Sequence, residues 1–152
     1  PRVLRVIYRD FIRVGMNVIE EIEHPFWTRV VRIEGYEGWF SLLDDEMSDG
    51  TPVRIRVEFD DPNDDIIQRN FSAIRSRWEE IWPRIQRRTH EMKVAYGYHE
   101  IPIKTESDWF ELKPPTELIE TNAEWSVMLQ AEEAGWLLDF KGWEDAGGQG
   151  VF

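Results

Sequence analysis

From Asp64 to about Lys93, the apolar residues Ile67, Phe71, Ile74, Trp78, Ile81, Trp82, Ile85 and Met92 fall mostly at steps of three and four. That is the period of one face of an amphipathic helix. Arg69, Arg75, Arg77, Glu79, Glu80, Arg84, Arg87 and Arg88 lie between them as the wet face. Asp60, Asp61, Asn63, Asp64 and Asp65 supply capping oxygens at the entry, where carboxylates also suit the helix dipole. Arg87, Arg88 and Lys93, followed by Gly97, mark the exit. Pro83 has no N–H for the carbonyl of Glu79, and its ring crowds that turn. The apolar phase nevertheless continues from Trp78 to Ile85, so the pattern predicts one helix kinked at Pro83, in preference to two helices with Pro83 opening the second. Thirty straight residues would span ~45 Å, against a radius of gyration of ~15 Å for a chain of this size, which also favours a bend.

Elsewhere the period is two. Val53, Ile55, Val57 and Phe59 alternate with Arg54, Arg56 and Glu58, the clearest strand of the chain. Phe26–Glu34 and Trp39–Leu43 read as a hairpin around Gly35 and Gly38, and Trp125–Gln130 and Trp136–Lys141 as a second one. Trp109–Lys113 is a strand stopped by Pro114-Pro115, Leu118-Ile119 reads as another short strand, and Met16–Glu23 as a strand or a turn of helix. In residues 1–14, Arg2, Arg5, Arg9 and Arg13 form a polar stripe opposite Leu4, Ile7, Tyr8, Phe11 and Val14. Helix is preferred there, although Val and Ile also suit a strand. Residues 1–25 are thus an N-terminal helix or extension, and 144–152 a flexible, glycine-rich tail. The sum is a single α+β domain over 1–152, a mostly antiparallel sheet of about five to seven strands with one long, Pro-kinked helix on one face.

Composition narrows the chemistry. The chain has 152 residues, no Cys, eight Trp and a net charge of −12. Without Cys there is no disulfide, thiolate catalysis or Cys-based metal site. The lack of Cys fits the bacterial cytoplasm, and with no long apolar run and no signal-peptide core the expectation is a cytoplasmic protein with no membrane association. Residues 1–100 carry a net −4 and residues 101–152 a net −8. Such a balance repels nucleic acid and attracts a basic protein partner.

Candidate sites are few. The run Asp60–Asp65 lacks the glycine and the Glu of a calcium loop, since Asp65 and Phe71 occupy those positions, and it reads as helix capping. His24, His90 and His99 lack the spacing of a helical zinc pair. No metal or cofactor is expected, and GxSxG, P-loop and GxGxxG motifs are missing. Were there catalysis, it would use His99 with Tyr96, Tyr98 and Glu100, acid–base groups just past the helix. Trp78, Trp82, Trp125 and Trp136 fall on apolar faces and read as core. Trp27, Trp39, Trp109 and Trp143 lie at strand ends or turns, where tryptophan anchors interfaces. Trp39, Trp109, Glu132, Glu133, Trp143 and Glu144 are therefore the expected partner-binding residues.

Several features occur in a recognisable order. Phe26, Trp27, Gly38 and Trp39 form a hairpin, followed by an alternating strand and the turn Pro62-Asn63-Asp64-Asp65. A helix with Gln68, Phe71, Ile74 and Ile85 then ends in Tyr96 and Tyr98, before Trp125, Val127, Gly135 and Trp136 close the pattern. Over residues 26–143 this resembles a group of small bacterial domains of unknown function, some encoded near toxin–immunity loci. The resemblance implies no catalytic residue. The leading expectation is a non-enzymatic, immunity-like module that binds a basic protein through an acidic surface. The alternatives are a small hydrolase-type enzyme at the helix end and a structural or oligomerising domain.

Overall fold

The computed structural model of the protein describes residues 17–46, 52–97, 109–130 and 135–151. Eight strands form one sheet in the order of the chain: β1 (Val18–His24), β2 (Thr28–Ile33), β3 (Trp39–Glu46), β4 (Pro52–Phe59), β5 (Trp109–Lys113), β6 (Glu124–Gln130), β7 (Gly135–Lys141) and β8 (Glu144–Val151). Every neighbouring pair is antiparallel except β4 and β5, which run parallel. A hairpin turn cannot join parallel neighbours, so the chain crosses over between them through helices. The molecule is thus two four-stranded meanders joined by a helical crossover, an α+β fold.

The crossover contains two helices, α1 (Asp65–Ser76) and α2 (Trp78–Ala95), in place of the single helix expected. The break falls at Arg77, not at Pro83, which lies exposed inside α2. Arg77 ends α1 and opens α2 with φ −105° and ψ 12°, outside helical geometry. Pro83 leaves only the Glu79 carbonyl without its helical donor, and Glu79 is on the exposed face where water can serve it. The entry is as the sequence predicts: Asp64 Oδ1 accepts from the amides of Ile66 and Ile67 at 2.8 and 3.3 Å.

The core lies between the helices and one face of the sheet. Ile67, Phe71 and Ile74 of α1 and Trp78, Ile81, Ile85 and Met92 of α2 meet Val30, Ile55, Val57, Phe59, Leu112, Trp125, Val127, Leu129, Trp136, Leu138 and Phe140. The strand alternation is the one the sequence shows. Across β6 and β7 the register pairs Trp125 with Phe140, Val127 with Leu138 and Leu129 with Trp136, all toward the helices. Trp27 is core as well, stacked on Phe59 at 4.7 Å, with Nε1 donating to the Pro62 carbonyl at 3.2 Å. Its turn is organised by buried His24, whose Nδ1 accepts from the amides of Phe26 and Trp27 while Nε2 faces Asn63 Oδ1 at 3.0 Å.

Three further expectations change. Among the described residues the strand count is eight, above the predicted five to seven, because residues 18–24 pair as β1 and because Glu144–Val151, read as a flexible tail, pairs along β7 as β8. Leu118-Ile119 does not form a strand; Ile119–Thr121 is a turn of 3-10 helix. Its position is set by buried Asn70 of α1. Asn70 Nδ2 donates to the carbonyls of Pro115 and Glu117 at 2.7 and 2.6 Å, and Oδ1 accepts from the Ile119 amide at 3.1 Å.

Asn70→Ala therefore leaves three backbone groups without partners and is expected to lower stability by about 2–4 kcal/mol. Urea unfolding with an unchanged slope checks this, and Asn70→Asp, which offers no N–H donor, will not restore the loss. A second test concerns Gly148, where an added Cβ would stand 2.8 Å from Met92 Sδ and 2.9 Å from the Leu137 carbonyl oxygen. The sulfur can move and the backbone oxygen cannot. Gly148→Ala should cost about 1–3 kcal/mol by the same assay, and should cost less, though still something, when made in a Met92→Ala background.

Candidate functional site

The β7–β8 turn meets the start of α2 at one corner of the molecule. The turn is held from below: Trp125, stacked on Phe140 at 4.4 Å, donates from Nε1 to the Gly142 carbonyl at 2.7 Å. The Gly142 amide donates to the Ala123 carbonyl at 2.9 Å. Gly142 has φ +57°, and a Cβ there would lie 3.0 Å from Asn122 Oδ1, so the position needs glycine. This fixes Trp143 at the rim, half-buried, with one side packed on the core.

Two arginines hold Trp143, one at its ring and one at its backbone. The Arg77 guanidinium sits 4.0 Å from the ring centroid, and Arg84 Nη2 donates to the Trp143 carbonyl at 2.8 Å. The helix break is what aims Arg77 here. Glu80, in the first turn of α2, accepts from Arg77 Nη2 and Nε at 2.6 and 3.2 Å, which fixes the plane of the guanidinium. That hydrogen bond pushes the Glu80 carboxyl below its ordinary range and raises Arg77. Trp78 and Trp82 stack nearby at 6.1 Å. Beyond the turn, Glu144 and Asp145 open β8 as exposed carboxylates. Arg88 reaches Asp145 Oδ2 at 3.9 Å and Glu91 at 3.2 Å. Tryptophan and arginine on a rim, with one face already desolvated, are the side chains that anchor protein interfaces.

Among the expected partner-binding residues, the structure brings Trp143 and Glu144 together at this corner. Trp39 lies elsewhere, half-buried against the core and under the Arg32 guanidinium at 5.6 Å. Trp109 takes its place in the backbone of β5, and Glu132 and Glu133 lie outside the described residues. Of the group expected at the helix end, Tyr96 is exposed and meets Trp136 edge-on at 5.8 Å, whereas Tyr98, His99 and Glu100 lie outside the described residues. Sequence reasoning missed Arg77 and Arg84, which it read as part of a solvated face. The Trp-Glu-Asp triplet after Gly142 was the available signal.

An open cleft of about 500 Å3 adjoins the corner, between the loop after β5 and strands β6–β8. Glu124 and Asp139 line it against the single cation Lys113, and Ala146, next to Asp145, forms its β8 wall. Comparison with protein-family models, curated proteins and solved structures gave no match. Among the described residues there is no group of three His, Cys, Asp or Glu side chains placed to hold a metal ion. No helix among them is long and apolar enough to cross a membrane.

The Glu80 carboxyl should titrate below the ordinary glutamate value of about 4.3 in a carbon-detected NMR titration, and Arg77→Gln should return it to that range. Because the folded value is depressed, the pair contributes above the ordinary value and its contribution is lost as pH falls through the folded one. Both groups are exposed, so the accompanying stability change is small.

Proposed function

We propose that this chain is a non-enzymatic protein-binding module whose contact surface is the corner at Trp143 and the β8 edge beside it, and whose partner is basic. Its support is one arrangement: a half-buried tryptophan held by two arginines, directly followed by the carboxylates of Glu144 and Asp145 on the last strand of the sheet. Among the described strands β8 pairs only with β7, so its other edge presents backbone donors and acceptors. Gly147, Gly148 and Gly150 carry no side chain to obstruct another backbone. The charge of the last third of the chain, a net −8 over residues 101–152, steers a cationic partner toward that edge. In its sharpest form the module is immunity-like and neutralises a basic toxin domain by charge complementarity, as the resemblance of residues 26–143 implies.

The test is affinity capture from the native host lysate at about 0.05 M and about 0.5 M salt, with quantitative mass spectrometry, repeated for Glu144→Lys/Asp145→Lys and for Trp143→Ala. A basic protein retained at low salt, released at high salt and lost with either variant is the expected result. For the purified pair, the charge reversal should slow association about tenfold, whereas Trp143→Ala should act mainly on dissociation. Capture that ignores both salt and the two variants would sink the proposal.

A further inference from the structure

One stripe of α2 runs alongside β8. It consists of Arg88, Met92 and, at the C-terminal cap, Tyr96, each one helical turn from the last. Arg88 reaches Asp145 at 3.9 Å. Met92 stands over Gly148, with its Sδ 2.8 Å from where a Cβ would be. Tyr96 meets Trp136 edge-on at 5.8 Å, and Trp136 is paired in register with Gly150. Gly148 is paired with Leu138, and Leu138 and Trp136 are both buried, so the two glycines lie on the helix side of the sheet. Neither carries a side chain there. The apolar layer beneath α2 therefore stops at β7, and β8 continues it only as backbone. That backbone is open: Gly148 and Gln149 are exposed, and Tyr96 above them is 49% exposed. Together, the stripe and the strand edge form a slot walled by helix on one side and by unpaired backbone groups on another.

We propose that this slot takes one extended strand of the basic partner, antiparallel to β8, with aromatic side chains toward α2 and a cationic residue at its C-terminal end. The proposal rests on the reading of the β8 edge as contact surface and specifies how that edge is used. Antiparallel order continues the meander β5–β8 and is the more stable pairing per residue. Alternate side chains of an added strand point toward α2 and meet nothing from Gly148 or Gly150. An aromatic side chain there covers the bare glycine backbone from the neighbouring strand and reaches Met92 and Tyr96. Charge sets the direction. Asp145 is engaged by Arg88, whereas Glu144 is exposed and makes no ion pair among the described residues, even with Lys141 opposite it in register. Glu144 opens β8, so in antiparallel order the C-terminal end of the added strand lies beside it. A second copy of this chain is a poorer occupant, because its β8 would bring glycines and two more carboxylates.

The test titrates the full-length chain with a blocked peptide about nine residues long that alternates phenylalanine with threonine and ends in two lysines. Backbone NMR should show saturable shifts in β8. Every second β8 amide, the set not bonded to β7, should slow in hydrogen exchange. Exchanging the phenylalanines for alanine should weaken binding at least about tenfold. Tyr96→Ala and Glu144→Lys should each weaken it severalfold, as should moving the lysines to the N-terminal end of the peptide. N-methylation of one alternate set of peptide amides should abolish binding, and of the other set leave most of it. A peptide that leaves the β8 amides unmoved overturns the proposal, as does one indifferent to N-methylation of either set. If a basic protein is still captured through Trp143 in that case, the corner stands without the slot. Peptide binding at β8 with no basic protein captured supports the slot and removes the basic-protein reading. Outward β8 amides already protected in the free chain, with protection that falls on dilution, would assign the edge to a second copy and overturn the proposal.

Discussion

One helix pair has to cover the inner face of two meanders, and the parallel pairing of β4 with β5 makes this possible. Because Ile55 aligns with Phe110 and Val57 with Leu112, the two four-stranded units form a single surface instead of two. The chain must cross from one edge of the first unit to the near edge of the second, and α1 and α2 fill that crossing. Their apolar face is thereby buried against both halves. Asn70 ties the crossover to the loop that leads into β6, so the helix and the second meander are positioned by the same side chain.

The break at Arg77 links this constraint to the surface. A straight continuation of α1 would carry the Arg77 side chain on with the helix. The break turns it toward the β7–β8 turn instead, where Trp143 completes the contact. A feature of packing thus becomes a feature of the exposed corner. The same corner collects charge of both signs: arginines from the crossover hold the tryptophan, and the acidic start of β8 lies beyond them. Part of the chain's acidity is therefore answered internally, through Arg88 and Asp145.

Legibility in the sequence followed local periodicity. β4, β6 and β7 alternate cleanly, and their inward residues are the ones the alternation names. The apolar stripe of the helices was equally clear, because burial on one face leaves a period that no tertiary detail erases. What failed was punctuation. Pro83 looked like the interruption, but a proline frees only one carbonyl, and at Glu79 that carbonyl belongs to an exposed residue. Arg77 is no turn residue, and the sequence around it does not mark the break; its side chain is held by Glu80 and by Trp143. β8 was missed because Gly147, Gly148 and Gly150 have no side chains with which to show a period, and it is a strand by virtue of β7. At the site, Trp143 and Glu144 were legible as rim residues, whereas Arg77 and Arg84 acquired their roles only once the β7–β8 turn was brought against α2.

Glycine-rich strands slide easily, since a shifted register buries nothing different on either face. Here the shift is resisted from above. The Leu137 carbonyl, with Met92 of α2 above it, lies so close to Gly148 that the strand fits there best where a glycine stands. A one-residue slip that brought Gln149 to that point would drive its side chain into the methionine and the Leu137 carbonyl. The helix therefore resists one direction of slip in the outermost described strand, the one that would bring Gln149 under Met92.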